Sequence, residues 1–228
     1  MATPPVPSTS ESLSRLAGTV LGGLSGAVAL ARGRKPLHPS GRVLDAVVRR
    51  TGTSERFGAV WLDQPGEDRG LVRFSRSIGL PAGLPDVLGL ALTFHTDGRR
   101  HDLLLATTGL TGVTRFVLVP RRDPALSGYT CLLPYVADHG PVLIAATPTG
   151  TASTGFRLLA ARPRGPWQQF GTLQVTARPD READLPLRYD PVLNPLPGLR
   201  WSPFLARLRA PAYAAARRWA PTGHPVDT

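Results

Sequence analysis

The stretch from residue 72 to residue 106 constrains the fold of this chain more than any other feature. It reads VRFSRSIGLPAGLPDVLGLALTFHTDGRRHDLLLA, in which strand-like apolar runs are separated by a Gly/Pro turn and a Phe-His-Thr-Asp-Gly segment. An Asp-Gly pair between two apolar runs is a strong short-range hairpin signal. The stretch therefore predicts consecutive antiparallel strands.

The rest of the chain after residue 58 continues this pattern of short runs divided by Gly, Pro and Asp, which is typical of an antiparallel barrel or sandwich. The predicted strands cover residues 59–62, 71–74, 88–94, 102–106, 116–119, 142–146, 156–161 and 170–176, with 187–192 as a ninth strand or an extended return. Residues 124–141 are predicted to form a helical or irregular crossover. About eight strands suit a closed barrel, which has no exposed edges and can enclose one ligand.

The predicted fold class is α+β, mainly β, with an N-terminal helix before the barrel in the sequence and a C-terminal helix after it. Pro211 interrupts the second of these helical segments, because a proline removes an amide donor and clashes with the preceding turn. The predicted division is a tail over 1–14, an apolar Gly-rich helix over 15–33, a barrel domain over 34–198, a helical segment over 199–219 and a tail over 220–228.

The apolar run over residues 16–31 could contact either protein or lipid. Gly18, Gly22 and Gly26 lie four apart on one helical face and permit close helix packing. The run is shorter than the roughly 20 residues that a helix needs to cross a bilayer. We therefore favour a helix that packs against the barrel or against a partner chain, which leaves a homo-oligomer open, over membrane contact.

The charge of the chain would suggest an anionic partner, but its composition explains the charge differently. The formal net charge is +11, and Lys35 is the only lysine, so arginine has replaced lysine almost everywhere. No nucleic-acid-binding module is visible, and no specific nucleic-acid partner is expected. Cys131 is the only cysteine, which excludes an internal disulfide and favours a reducing, cytoplasmic location. The first residues carry no basic side chain before Arg15, unlike a secretory signal.

The stretch from residue 72 onward resembles the barrel of the haem-dependent catalases. That family carries an Arg-Phe-Ser strand end, then an Asp-x-x-Gly-x-Ala segment, then an aromatic run that leads to a Gly and an Asp-Leu pair. The matching residues are Arg73, Phe74, Ser75, Asp86, Gly89, Ala91, Phe94, Thr96, Gly98, Asp102 and Leu103. The resemblance extends more thinly over residues 34–218, and it implies a minimal catalase-like barrel with haem as a candidate cofactor.

The resemblance also implies a proximal iron ligand. In catalases a tyrosinate ligates the haem iron within an Arg-x-x-x-Tyr pattern that follows Ser-Pro. Here Ser202 and Pro203 precede Arg209 and Tyr213, and Arg218 matches a downstream arginine. An arginine four residues before a tyrosine shares its helix face, and a nearby cation favours the ionised phenol. The alternative interpretation is that Tyr213 packs an amphipathic helix whose arginines face solvent.

A distal histidine is implied in the same way. His38 lies in the segment KPLHPSG, with Lys35 where the family has arginine and Gly41 where it has glycine. The resemblance makes His38 the candidate catalytic residue and gives Lys35 and Arg73 to the cofactor, with Arg73 pairing to a propionate. An exposed loop histidine is the alternative. Residues 42–49, which follow, predict an amphipathic helix.

One position departs from the family in a way that bears on activity. Ala106 stands where catalases have the distal asparagine that helps to bind peroxide, so efficient dismutation is not expected. Two hypotheses follow. The first is a haem protein with peroxidase-like or hydroperoxide-directed activity, and the second is a degenerate barrel without haem that acts as a binding or structural module. A metal-dependent phosphodiesterase has no support, because the paired His and Asp motifs of such metal sites are absent.

Overall fold

A computed structural model describes residues 40–77, 79–81, 83–150, 155–177, 187 and 189–203. The predicted N-terminal tail and apolar helix lie outside the described residues, as do the helical segment after residue 203 and the C-terminal tail. The described residues all belong to the unit Leu37–Thr228.

Nine antiparallel strands make up the described part of the chain. They are β1 (Ser40–Arg50), β2 (Gly66–Arg76), β3 (Leu88–Thr96), β4 (Arg99–Thr107), β5 (Tyr129–Thr130), β6 (Tyr135–Ala137), β7 (Gly140–Pro148), β8 (Gly155–Ala161) and β9 (Gln168–Thr176). β1 lies between β2 and β9, and β5 pairs with both β4 and β7. Eight strands thus close into a barrel, with β6 added beside β7, and the predicted closed barrel of about eight strands is confirmed.

The predicted strands within residues 71–106 and 142–176 are correct, and the tight hairpin between β3 and β4 is present. Its turn residues Asp97 and Gly98 both have positive φ, at 52° and 72°, as a two-residue turn of the primed type requires. The crossover over residues 124–141 is not helical. It contains β5, which closes the barrel, and β6.

Three sequence predictions are wrong. Residues 42–49 form β1 rather than an amphipathic helix, residues 60–62 of the predicted strand 59–62 belong to a short helix, α1 (Val60–Asp63), and residues 116–119 contain the end of a 3-10 helix, Gly112–Phe116, and no strand. For residues 187–192 a ninth strand or an extended return was predicted, and their described part contains no strand. β1 resembled a helix because Val43 is buried on one of its faces and Ala46 and Val48 on the other, which removes the alternation of a half-exposed strand.

The interior of the barrel is identified by three aromatic side chains from strands that are not neighbours. The ring centroids of Phe74, Tyr129 and Phe156 lie between 5.8 and 6.3 Å apart. Strands on different sides of a barrel can bring side chains together only through its centre, so these residues point inward. Burial raises the pKa of Tyr129, with a further contribution from Asp123, and the protonated phenol donates to the carbonyl oxygen of Pro124 at 2.7 Å.

One end of the barrel is plugged by α1. The Trp61 indole stacks on Phe94 at 5.7 Å, contacts Phe170 edge-on at 5.1 Å, and donates its N–H to the Asp68 carboxylate at 3.0 Å. Asp68 also accepts a hydrogen bond from Arg50 at 2.8 Å. The buried charge of Asp68 is therefore paired and hydrogen-bonded, as burial of a carboxylate requires.

Candidate functional site

The outer face of β1 to β4 holds part of the catalase-like pattern: Arg73, Ser75, Gly89, Ala91 and Asp102, together with Ala106. Because Phe74 points into the barrel, its neighbours Arg73 and Ser75 point outward. Residues directly opposite each other on antiparallel strands lie on the same face. The strand register therefore places the outward-facing residues of the four strands in lateral rows.

The first of these rows contains only small residues. Gly41 pairs with Ser75, Ser75 with Gly89, and Gly89 with Ala106. We call this set the small-residue row. With neighbouring strands about 4.8 Å apart, the row spans roughly 14 Å across four strands. No member of the row has a side chain longer than serine, and the Arg73 guanidinium lies over Gly41, so Ser75, Gly89 and Ala106 form a flat wall against which a flat ligand could lie.

Arg73 lies in the next row and turns toward the first. A Cβ added to Gly41 would lie 2.5 Å from the Arg73 Cζ atom, so the guanidinium occupies the space that the missing side chain leaves. The neighbours of Arg73 in its row are Val43 and Ala91, both buried. A half-buried cation thus lies beside an apolar, flat surface.

Thr93 adds a polar group to the same face. It lies one row further along, between Leu71 and Asp102, and is only 7% exposed. Its hydroxyl has no hydrogen-bond partner among the described residues. Buried hydroxyls are nearly always hydrogen-bonded, so this face carries a polar group that a bound molecule could satisfy.

Two carboxylates from the catalase-like pattern hold the fold rather than a ligand. The Asp86 carboxylate accepts the amides of Gly79 and Leu80 at 2.8 and 3.2 Å. Asp102 accepts the amide of Asp190 and the side-chain amide of Asn194, both at 2.8 Å, and so fixes the segment after β9 to the outside of β4. Asp86 therefore holds the loop before β3, and Asp102 holds the segment after β9.

Arg115 is a further buried cation with a structural role. Burial lowers its pKa, and the guanidinium lies 4.6 Å from the Trp167 ring centroid while donating to the carbonyl oxygen of Gly165 at 2.8 Å. It joins the segment after β4 to the loop after β8. Within the described residues, no group of three His, Cys, Asp or Glu side chains could hold a metal ion.

The predicted site residues divide into those that the structure places and those that it does not. Arg73 and Ala106 lie on the outer face, in adjacent rows. The remaining candidates lie outside the described residues: Lys35, His38, Arg209, Tyr213 and Arg218. Sequence analysis missed Thr93 and the small-residue row, because only the strand register brings the four members of the row together.

Comparison with known proteins supports the fold. No protein-family model and no curated protein matches this sequence. The crystal structure of a fungal catalase matches with a TM-score of 0.61 and 12% sequence identity, over 97% of this chain and 65% of that chain. This chain therefore spans less than two thirds of the length of that catalase, and the similarity shows a catalase-like fold. Among the described residues, no helix has the length and apolar character to cross a bilayer.

Proposed function

We propose that this chain is a catalase-like protein that binds haem against the outer face of β1 to β4. The observation that carries the proposal is the small-residue row, because a planar macrocycle needs a flat wall and the register aligns Ser75, Gly89 and Ala106 into one. Arg73 lies at the edge of this wall, where its guanidinium would pair with a propionate.

The chain's own residues would bind and orient the cofactor. Tyr213 is proposed as the iron ligand, with Arg209 supporting its ionised form and Arg218 as a further cofactor-binding residue, and His38 is proposed on the distal side with Lys35 nearby. Thr93 supplies a hydroxyl on the face itself. Haem, when bound, supplies the redox chemistry, which the protein tunes through the axial ligand and the neighbouring hydrogen bonds.

The proposed activity is peroxidase-like or directed toward organic hydroperoxides. Ala106 carries no amide, so the wall offers no group at that position to orient hydrogen peroxide. Apolar neighbours such as Val43 and Ala91 instead favour a substrate with a hydrocarbon body.

A hemin titration tests the proposal. The wild-type protein is expected to give a saturable Soret band at one haem per chain, and Tyr213→Phe is expected to shift that band, because it removes the proposed ligand. Arg73→Gln is expected to weaken binding about tenfold, the loss of one charge-assisted contact. Arg157→Gln, which removes an exposed arginine from β8 on the other side of the barrel, serves as the matched control.

Three results would each contradict a different part of this proposal. No saturable band in the wild type would reject haem binding and leave a barrel that serves as a binding or structural module. An unchanged band in Tyr213→Phe would reject Tyr213 as the ligand. Equal weakening by Arg73→Gln and Arg157→Gln would show a general attraction between hemin and a basic chain.

A further inference from the structure

A cleft lies beside α1, at the end of the barrel opposite the small-residue row. It has a volume of about 510 Å³ and is lined in part by Val60, Asp97, Arg99, His101 and Pro197. A neighbouring depression of about 570 Å³ shares the last three of these residues. Arg99 begins β4 and Ala106 lies near its end, so about 23 Å of strand separates this cleft from the small-residue row.

Arg99 is a cation of this cleft that is within ion-pair distance of no described carboxylate. Three other arginines near this end of the barrel are paired: Arg50 with Asp68 at 2.8 Å, Arg100 with Asp102 at 2.9 Å and Arg200 with Asp138 at 3.1 Å. Arg99 is exposed and forms no ion pair with the described residues. An anion in the cleft would therefore find a guanidinium whose hydrogen-bonding capacity is still available.

His101 presents a defined acceptor to the same cleft. Its Nδ1 atom lies 2.6 Å from the carbonyl oxygen of Pro195, which can only accept, so Nδ1 carries the proton and donates. In the neutral ring Nε2 is then an acceptor, and it has no partner among the described residues. The Phe94 ring, 5.4 Å away, holds the imidazole in place, and His101 is 9% exposed.

Arg99 and His101 are close enough for one small molecule to contact both side chains. They are two residues apart on β4 and therefore lie on the same face, with Cα atoms about 6.6 Å apart. Val60, a residue that is 52% exposed, and Pro197 provide apolar walls. We propose that this cleft binds a small hydroxylated organic anion, whose carboxylate pairs with Arg99 while its hydroxyl donates to His101 Nε2 and its apolar body lies between Val60 and Pro197.

Asp97 is the one acidic residue among those that line the cleft within the described residues. Its carboxylate would repel an anion and partly offset Arg99. Asn tolerates the positive φ of 52° at this turn position, so Asp97→Asn removes the charge while keeping the hairpin. The substitution is expected to tighten binding of the anion by a few-fold.

The experiment uses 4-hydroxybenzoate as the probe and the indole N–H resonance of Trp61, another residue of the cleft wall, as the reporter. Saturable shifts of this resonance are expected with 4-hydroxybenzoate. Weaker binding is expected for benzoate, which lacks the hydroxyl, and for 4-hydroxybenzamide, which lacks the charge. Arg99→Gln should lower the affinity for 4-hydroxybenzoate about tenfold or more, the range for a charge-assisted hydrogen bond, and should leave the affinity for 4-hydroxybenzamide unchanged.

His101→Asn tests the second contact, because the Asn side-chain amide can still donate to Pro195 while Nε2 is removed. This variant is expected to lose the preference for 4-hydroxybenzoate over benzoate. Arg157→Gln is again the control for the general charge of the chain. The absence of saturable shifts with 4-hydroxybenzoate, or equal weakening by Arg99→Gln and Arg157→Gln, would overturn the proposal, and neither result depends on haem binding.

Discussion

Two buried threonines on the outer face of the barrel have opposite hydrogen-bonding states. Thr130, on β5, donates to the carbonyl oxygen of Arg115 at 3.1 Å, pairs with the Thr108 hydroxyl at 2.9 Å and accepts the amide of Leu132 at 3.2 Å. Thr93 has none of these contacts among the described residues. A satisfied hydroxyl stabilises a fold, whereas a buried unsatisfied one destabilises it, so the same substitution should act differently at the two positions.

Thr93→Val is therefore expected to raise the free energy of unfolding of the haem-free protein by about 1 kcal/mol, because it removes an unsatisfied buried hydroxyl. Thr130→Val should lower it by about 1–3 kcal/mol, because it leaves hydrogen-bonding groups without their partner. Urea denaturation of both variants makes the comparison. Equal destabilisation by the two substitutions would show that Thr93 has a partner within the protein.

Asp63 stabilises the start of α1 from within the helix. Partial burial acts to raise the pKa of this carboxyl, but the amides of Phe57, Gly58 and Ala59 and the Thr53 hydroxyl donate to it and hold the pKa below its ordinary value. A carboxyl with a lowered folded-state pKa contributes stability above its unfolded pKa and loses it as pH falls through the folded value.

Asp63→Asn is expected to lower the free energy of unfolding by about 1–3 kcal/mol at pH 7, the range for hydrogen bonds to a charged group. The difference between wild type and variant should begin to shrink as pH falls below about 4, the ordinary pKa of an aspartate in the unfolded chain, and should be lost as pH falls through the lower pKa of the folded state. Denaturation curves at pH 7 and pH 3 check this. A difference that stays constant with pH would contradict the role of the charge.

Within the strands, two glycines have different structural roles. Gly70, on β2, faces the barrel interior, and an added Cβ would overlap the backbone carbonyl oxygen of Thr93, which cannot move without disturbing β3. At Gly41, on β1, the three atoms nearest to an added Cβ all belong to the end of the Arg73 side chain, which is flexible. The first glycine permits close strand packing, and the second makes room for the guanidinium.

Gly70→Ala is expected to lower the free energy of unfolding by about 1–3 kcal/mol through overpacking. Gly41→Ala should change it by less than about 1 kcal/mol, since alanine is no worse than glycine in a strand and Arg73 can swing away. Haem affinity should nevertheless fall in Gly41→Ala, because Arg73 leaves the wall. Thermal unfolding and hemin titration of both variants separate the two effects. A large loss of stability in Gly41→Ala would contradict this account.

At the scale of the whole molecule, the barrel could be predicted from the sequence but the site could not. The runs within β2 to β4 and β7 to β9 stand out because Gly, Pro and Asp divide them. β1 did not stand out, because both of its faces are buried and its apolar spacing imitates a helix. The small-residue row depends on the register of four strands whose members are far apart in sequence, and no local pattern contains it.

Alanine methyl NMR can locate haem on the outside of β1 to β4. Ala91 and Ala106 lie on that face, whereas Ala160 and Ala161 lie on β8, on the opposite side of the barrel. Ferric hemin is expected to broaden the methyl signals of Ala91 and Ala106 and to leave those of Ala160 and Ala161 sharp, with a diamagnetic zinc porphyrin as control. Broadening of Ala160 and Ala161 instead, or of none of the four while hemin is bound, would contradict haem binding at this face.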